Sequence, residues 1–315
     1  MTSLYVDRKG VEIRVDAETL VFREAGERVG CVPLRPLDRI YLRGDVTLQA
    51  SVLGKLGEHG IGVVVMSGRK GEATLLMHRP HNDASRRIAQ YRLSLDPAKK
   101  LELARGFVLS KLDGQVALLR RLAHEQPMRR YLLTTACRRV EAARPAAEEA
   151  TSVASLRGAE GAAAQAHFGG LQEVFAPALK FTSRNRRPPR DPVNAVLSLG
   201  YTMLHAECVL QLYGAGLDPF IGFLHELDFG RESLACDVAE PSRPAVDSFV
   251  QRLFGKGALT AEHFSLSPQG TCLLGKAGRS HFYAHWETEL ADLRREVTLG
   301  VAALCHAVSP QATAA

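Results

Sequence analysis

The hydrophobic pattern of this chain changes its period once, near residues 78–83. Before that point, short segments alternate apolar and charged side chains, as residues 11–15 do with the sequence Val-Glu-Ile-Arg-Val, and a period of two is that of a half-buried strand. Beyond it, apolar side chains recur every three or four residues from Ile88 onward, the period of an amphipathic helix. The pattern therefore predicts an α+β protein, in which a small β domain precedes a larger all-helical domain.

The β part of the pattern contains short apolar segments separated by turns, which favours a compact sandwich or roll. One helix is predicted inside it, capped by Thr47. The later helices are expected to join at short turns near Pro97, Pro127 and Pro145. The predicted division is residues 1–80 for the β domain, 81–95 for a linker and the start of the first helix, 96–309 for the helical domain and 310–315 for a flexible tail.

The composition limits the class of protein without naming its partner. With 315 residues, 46% of them hydrophobic, the chain has room for two ordinary cores, and its net charge of +6 favours polyanions without selecting one. Six scattered cysteines without a C-x-x-C pair are predicted to be reduced core thiols. Charged residues at positions 7–9 argue against a signal peptide, and no apolar run is expected to cross a bilayer. A soluble, cytoplasmic protein is predicted.

Arginine clusters occur at two places in the helical part. One opens its first helix, and the other is the segment 184–190, Arg-Asn-Arg-Arg-Pro-Pro-Arg. The prolines keep this segment out of a helix and so display its arginines on a loop. The clusters are either solvated charge or phosphate contacts with DNA, in which case binding weakens steeply as salt rises. The candidate DNA-binding residues are Arg86, Arg87, Arg184, Arg186, Arg187 and Arg190.

Three separated segments each offer a side chain that can bind a divalent metal ion. Glu160 lies near the start of an alanine-rich helix, His225 follows an apolar run, and Asp237 and Glu240 are three residues apart. On a helix that spacing puts both carboxylates on one face, although Pro241 predicts a break there. Carboxylates with one imidazole suit Mg²⁺ or Mn²⁺, so we expect these segments to meet in space.

Each of these side chains also has a structural interpretation. The helix dipole alone favours a glutamate near a helix N-terminus, and a single histidine after an apolar run is often a hydrogen-bonded core residue. Asp237 and Glu240 would repel each other if both were buried, so they are either solvated or accompanied by positive charge. Asn194 and Tyr201, on the next helix, are interpreted as structural support through local hydrogen bonds, although packing alone would explain Tyr201.

The sequence contains four ordered blocks, residues 156–168, 187–194 with 197–201, 216–225 and 233–244. These blocks resemble the signature blocks of the CRISPR-associated protein 1 family, the DNA integrases of CRISPR spacer acquisition. The N-terminal strands are also similar to the β domain of that family, so the resemblance covers nearly the whole chain. Ser242 and Cys236 depart from the commonest pattern of the family, and neither departure removes a ligand.

The resemblance implies a catalytic site and a reaction. Glu160, His225 and Glu240 would hold one Mg²⁺ or Mn²⁺ ion, with Asp237 an acidic neighbour that supports the site or contacts a second ion. The family joins short double-stranded DNA fragments to a CRISPR repeat array by attack of a DNA 3′-OH. The same site hydrolyses DNA when water is the nucleophile. The implied partners are a second copy of the chain, bound through the β domains, and CRISPR-associated protein 2, with an end-trimming nuclease as a further candidate.

Other functions remain open at this point. A stand-alone metal-dependent repair nuclease would cleave branched or single-stranded DNA without joining it. A non-catalytic DNA-binding scaffold would have no chemical need for Glu160, His225 and Glu240 together. A transposon-borne integrase is expected to carry an added DNA-binding module, and the short stretch after Trp286 leaves little room for one.

Overall fold

The computed structural model divides the chain into two compact units. One unit comprises residues 1–83 with 210–216, and the other comprises residues 84–209 with 217–315. The predicted tail 310–315 lies outside the part of the chain that the structure describes. The described residues are 2–66, 73–82, 84–185, 188–289 and 291–309.

Among its described residues, the N-terminal part of the first unit contains two four-stranded sheets and one helix, so the predicted β domain with a single helix is confirmed. One sheet has the strand order β1-β5-β7-β8, and the other has the order β4-β3-β2-β6. Pairing is parallel between β1, β5 and β7 and between β2 and β6, and antiparallel elsewhere. The elements are β1 Thr2–Asp7, β2 Val11–Asp16, β3 Thr19–Glu24, β4 Glu27–Pro33, β5 Leu37–Arg43, β6 Val46–Leu48, α1 Ala50–Glu58, β7 Gly62–Val65 and β8 Thr74–Leu76.

The strand β2 buries one face and exposes the other, as its alternating pattern predicted. Val11 and Ile13 are buried in the core of this unit, whereas Arg14 is exposed. The helix α1 also buries Val52 in that core. The prediction that Thr47 caps this helix is wrong: Thr47 lies in β6, where it pairs with β2, and α1 begins after Gln49.

The second unit is mostly helical, which confirms the predicted fold class, and it includes one short β-ribbon that was not predicted. The ribbon pairs β9 and β10 antiparallel. Strands of three residues are too short to establish a hydrophobic period. The elements are α2 Ala84–Leu95, α3 Pro97–Glu125, α4 Arg130–Glu148, α5 Val153–Gln172, α6 Pro192–Gly214, α7 Ser233–Ala239, α8 Arg243–Gly255, β9 Phe264–Leu266, β10 Cys272–Leu274, α9 Lys276–Glu289 and α10 Ala291–Ala307.

The three prolines predicted to separate helices behave differently. Pro97 opens α3, directly after Asp96, whose carboxylate accepts hydrogen bonds from two N–H groups of the first turn. Pro127 opens a short 3₁₀ turn between α3 and α4. The turn predicted near Pro145 lies just beyond it: Pro145 is inside α4, which ends at Glu148, and α5 begins at Val153. A proline in the last turn removes few hydrogen bonds of the helix, so the helix can pass it.

Small residues let α5 approach its neighbours closely. A Cβ atom built on Gly170 would lie 2.7 Å from the Cβ of Ala136 on α4 and 2.8 Å from a methyl group of Leu119 on α3. The helix itself begins at a capping box formed by Ser152 and Ser155. This close packing fixes the position of Glu160, eight residues into α5, relative to α3.

Two predictions from composition need correction. By length and hydropathy α6 would suit a membrane span, contrary to the sequence prediction, but 72% of that stretch is buried inside the structure, as in a core helix. The cysteines are free, as predicted, yet only three of the six are buried: Cys31 is exposed, and Cys236 and Cys305 are half-buried.

Candidate metal centre

Two of the three predicted metal ligands, Glu160 and Glu240, contact the ammonium group of Lys111, and the third, His225, lies beside Glu240. This lysine lies on α3, and its Nζ contacts the Glu160 carboxylate of α5 and lies 2.5 Å from Glu240 Oε2. The other oxygen of Glu240 is 4.0 Å from Nε2 of His225. Side chains from four separate segments therefore lie close to one another, and the metal-binding role of Glu160, His225 and Glu240 stays a prediction.

Lys111 was missed by the sequence analysis, although the pattern of α3 contains a signal for it. Gln115, Leu118 and Leu122 are all buried on α3, and stepping back along the same helical face leads to position 111. A lysine on a long amphipathic helix is usually assigned to the solvent side. Here its residue exposure is only 8%, so its charge requires nearby partners.

Glu240 is a charged group inside the protein. It is 4% exposed, and its Oε1 lies 2.9 Å from Nε of Arg243. Burial alone would raise the pKa of Glu240, but Arg243, Lys111 and His225 together lower it to about 2. Burial would likewise lower the pKa of Lys111, but Glu240 and Glu160 raise it. The site is thus a compensated cluster of carboxylates and cations at neutral pH.

Asp237 holds the loop that carries His225. One carboxylate oxygen of Asp237 accepts hydrogen bonds from the backbone N–H groups of Phe223 and Leu224, at 2.6 and 2.9 Å. The other accepts from the N–H of His225 at 2.9 Å and lies 2.7 Å from its Nδ1. Because a carboxylate accepts, Nδ1 carries a proton, and in the neutral imidazole Nε2 then has the free lone pair. This geometry favours the supporting role of the two roles considered for Asp237.

Gly222 permits the close approach of this loop to α7. A Cβ atom at that position would lie 2.8 Å from Oδ2 of Asp237 and 2.8 Å from the backbone carbon of Ser233. The backbone N–H of Leu234 donates to the carbonyl oxygen of Pro219 at 2.8 Å and so joins the loop to the start of α7. The apolar run before His225 is therefore fixed at both ends.

The chain turns from α-helix to 3₁₀-helix between the two acidic residues. The helix α7 ends at Ala239, and the 3₁₀ turn Glu240–Ser242 follows, with Pro241 in it, as the proline predicted. Asp237 is thereby directed to the His225 loop, whereas Glu240 is directed to Lys111. Although Asp237 and Glu240 are only three residues apart, their carboxylates contact different partners.

A buried polar network lies behind Arg243. The Arg243 guanidinium stacks over the ring of Tyr201, 4.7 Å from its centroid. The Tyr201 hydroxyl donates to Oδ1 of Asp247, whose Oδ2 is 2.9 Å from Nε2 of His167. Burial, followed by the charge of Asp247, raises the pKa of Tyr201, so the phenol keeps its proton. The network orients Arg243 toward Glu240, in keeping with the supporting role predicted for Tyr201.

Asn194 organises the start of α6 and engages one of the predicted DNA contacts. Its side-chain oxygen accepts from Nη1 of Arg184 at 2.8 Å and from the backbone N–H of Asn185 at 3.0 Å, and its amide donates to Ser183 O. Arg184 also donates to Ser198. Its donors are therefore directed inward, and it acts as a local structural residue.

The remaining arginines have different settings. Arg190 is exposed, and Arg86 and Arg87 are half-buried on α2. Arg186 and Arg187 lie outside the described residues. The assignment of these side chains to DNA therefore stays a prediction.

An ion pair at the start of α7 is expected to make stability depend on pH. Nε2 of His205 lies 2.7 Å from Oε2 of Glu232, the residue before α7. Burial would lower the pKa of His205, but Cys236 and Glu232 raise it to about 9, above the ordinary 6.5. The stabilisation is complete below pH 6.5 and is lost as the pH rises through 9.

We expect the free energy of unfolding to fall by about 2 kcal/mol over this range, less than the full linkage value because the side chain keeps some exposure. Urea unfolding at several pH values measures the slope. His205→Gln should remove that part of the slope. An unchanged pH dependence in the variant would contradict the assignment.

The donor set fits a hard divalent ion. Glu160 and Glu240 direct carboxylate oxygens at one point that already accommodates a cation, the ammonium of Lys111, and His225 adds a nitrogen with a free lone pair. Within the described residues, no group of three or more His, Cys, Asp or Glu side chains lies at the spacing of a metal site.

Comparison with known proteins agrees with the resemblance in the sequence. A profile of the family described as CRISPR associated protein Cas1 matches residues 4–288. The chain is 39% identical, over 91% of both chains, to a protein of Thermodesulfovibrio yellowstonii named CRISPR-associated endonuclease Cas1 1.

The fold is also similar to solved structures. One is a casposase bound to its integration product, with a TM-score of 0.85 and 22% identity over 98% of this chain and 90% of that one. Another is a Cas6-RT-Cas1–Cas2 complex, with a TM-score of 0.81 and 22% identity over 98% of this chain and 35% of that one. The family match spans both compact units and includes Lys111, Glu160, His225 and Glu240 of the candidate metal centre. The chain therefore belongs to the CRISPR associated protein Cas1 family.

Proposed function

We propose that this protein is a divalent-metal-dependent DNA endonuclease and integrase that inserts short DNA fragments into a CRISPR repeat array. The observation that supports the proposal is that Glu160 and Glu240 both contact one cation, the ammonium of Lys111, with Nε2 of His225 4.0 Å from the other oxygen of Glu240. Burying these charges lowers the stability of the protein. A scaffold that only binds DNA gains nothing from them, whereas a catalytic site requires them.

The names of similar proteins support the same activity. The relative from T. yellowstonii is named an endonuclease, and the structure of the casposase contains an integration product. The complex that includes Cas1 and Cas2 supports CRISPR-associated protein 2 as a partner. A homodimer through the β domains, an end-trimming nuclease as a further partner and action in the cytoplasm complete the proposal.

The residues of the site have separate tasks in the proposed reaction. Glu160, Nε2 of His225 and Glu240 would hold one Mg²⁺ or Mn²⁺ ion, which, when bound, polarises a phosphate and lowers the pKa of an attacking hydroxyl group. Asp237 keeps the proton on Nδ1 of His225 and so presents Nε2 as a ligand. Arg243 holds Glu240 in its charged form. A DNA 3′-OH at this site gives transesterification, and water gives hydrolysis.

The arginines are proposed to bind the DNA backbone rather than to read its sequence, since phosphate contacts position a duplex without specifying bases. Exposed Arg190 has the setting of such a contact. Arg184, whose Nη1 and Nη2 donate to Asn194 and Ser198, would act by fixing the start of the segment 184–190. The proposed phosphate contacts are Arg86, Arg87, Arg186, Arg187 and Arg190, with Arg184 as their structural support.

A strand-transfer assay tests this function. Labelled duplex DNA with free 3′-OH ends is incubated with a supercoiled plasmid carrying a repeat, with Mg²⁺ or Mn²⁺, and with or without CRISPR-associated protein 2. We expect label to enter the plasmid only with metal and an intact 3′-OH. Glu160→Ala, His225→Ala and Glu240→Ala should each abolish the transfer.

The same assay separates the alternatives. Metal-dependent cleavage without any transfer of label would indicate a repair nuclease and would overturn the transesterification. DNA binding that is unaffected by the three alanine substitutions, without cleavage or transfer by any of the proteins, would indicate a scaffold.

A further inference from the structure

Lys111 is a group at the candidate metal centre to which the family resemblance gives no role. Its ammonium contacts the carboxylate of Glu160 and lies 2.5 Å from that of Glu240. These are the two side chains proposed as the anionic metal ligands. The ammonium therefore occupies the position where their oxygens converge, which is where a divalent ion would bind them both.

An ammonium and a divalent ion cannot share that position. Both require the same carboxylate oxygens, and two cations within about 4 Å of each other repel strongly in a partly desolvated site. Arg243 already places one cation against Glu240 from its other side, with Nε 2.9 Å from Oε1. A divalent ion added while Lys111 stayed in place would meet an excess of positive charge.

The two carboxylates depend on the ammonium when no metal is bound. Glu240 is buried in the protein, and Glu160 is half-buried. Two carboxylates directed at one point repel each other unless a cation lies between them. Lys111 provides that cation from α3, a helix of 29 residues.

We infer that Lys111 is a tethered counter-cation that keeps the metal site assembled when it is empty and that competes with the incoming ion. The inference rests on the metal-dependent function proposed above. Metal binding then requires the flexible lysine side chain to withdraw its ammonium from between Glu160 and Glu240. Lys111 thereby weakens metal binding at this site, and it also keeps the ligands in position before the metal binds.

The first test measures Mn²⁺ binding by calorimetry without DNA, so that catalysis does not enter. Lys111→Met removes the charge and keeps a side chain of similar length. We expect its dissociation constant for Mn²⁺ to be about tenfold lower than that of the unmodified protein, or lower still, which corresponds to about 1.4 kcal/mol. In EDTA the same variant should melt at a lower temperature, because the carboxylates lose their counter-cation, and Mn²⁺ should raise that temperature more than in the unmodified protein.

Two further variants are controls. Lys111→Arg keeps the positive charge and should not bind Mn²⁺ more tightly. Lys99→Met changes a lysine near the start of the same helix that pairs with Glu102 at the surface, and it should leave both the dissociation constant and the melting temperature in EDTA unchanged. Glu160→Gln should weaken Mn²⁺ binding and so identifies the site being measured.

A second measurement uses the unmodified protein and does not depend on the folding of a variant. Reductive methylation followed by peptide mass spectrometry reports the reactivity of each lysine. In EDTA, Lys111 should be protected relative to the exposed Lys99. Saturating Mn²⁺ should increase the labelling of Lys111 and leave that of Lys99 unchanged.

The outcomes separate this inference from the proposed function. If Glu160→Gln weakens Mn²⁺ binding but Lys111→Met binds it no more tightly, and if labelling of Lys111 does not rise with Mn²⁺, the competition is overturned and the metal site stands. If the unmodified protein and Lys111→Met both fail to bind Mn²⁺, the proposed metal centre and the inference fall together.

Discussion

Replacing Asp237 by asparagine is expected to lower the free energy of unfolding by about 3–5 kcal/mol, the cost typical of breaking a buried charged contact. The carboxylate accepts three backbone N–H groups from consecutive residues of the His225 loop and contacts the imidazole as well. An asparagine amide offers one oxygen in place of two and presents an NH₂ group to N–H donors. The loop that carries His225 then loses its anchor.

The same substitution is expected to reduce strand transfer about 10- to 100-fold, the usual cost of removing the partner of a metal-binding histidine. Without Asp237, nothing in the described contacts fixes the proton of His225 on Nδ1. Activity should fall less than it does after the loss of a ligand, because the imidazole itself remains.

Urea unfolding and the strand-transfer assay together measure this prediction. Asp228→Asn is the matched control, since Asp228 lies in the same loop region with a side chain that is 58% exposed and paired with Arg231. Exposed ion pairs contribute little to stability, so the control should resemble the unmodified protein. An Asp237→Asn protein as stable as the control would contradict the anchoring role.

The two-part architecture was predictable because periodicity is a property of long segments. Residues 11–15 alternate over a whole strand and α3 repeats its apolar positions over 29 residues, so local sequence and tertiary packing agree there. The ribbon of β9 and β10 and the start of α1 were not predictable in this way. Thr47 is a good helix cap by residue type, but its pairing with β2 decides its conformation.

The ligand types at the site were predictable, whereas the charge balance around them was not. A carboxylate or an imidazole in an apolar setting is conspicuous in a sequence, as Glu160 and His225 are. Lys111 and Arg243 lie on helices where a basic residue is ordinary, and only the packing of α3 against α5 and the 3₁₀ turn shows that their charges are enclosed. Sequence separation hides this kind of partnership, since Lys111 is 129 residues from Glu240.

Asp237 illustrates a second limit of sequence reasoning. Its spacing from Glu240 indicated a shared face and left two roles open, support of the site or contact with a second ion. The roles diverge because Gly222 lets the preceding loop pack against Asp237, and a Cβ there would meet its carboxylate at 2.8 Å. Only the three-dimensional structure shows that the absence of a side chain at Gly222 determines the partners of the Asp237 carboxylate.

Glu160→Gln is expected to produce the opposite pattern to Asp237→Asn: a large loss of activity with little change in stability. Strand transfer should fall roughly 1,000-fold, equivalent to about 4 kcal/mol of transition-state stabilisation, because a neutral amide is a poor ligand for Mg²⁺ or Mn²⁺. The side chain of Glu160 is 23% exposed, and Lys111 keeps Glu240 as a partner when Glu160 is neutralised. The free energy of unfolding should therefore change by only about 1 kcal/mol.

Glu173→Gln, at the other end of α5, is the control for this substitution, because Glu173 is the C-cap residue of the same helix and lies away from the metal centre. It should leave transfer and stability unchanged. Transfer by Glu160→Gln within tenfold of the control would show that Glu160 is not a ligand. A loss of stability as large as that of Asp237→Asn would instead assign Glu160 to the packing of α5 against α3, and the low activity of the variant would then no longer support metal binding.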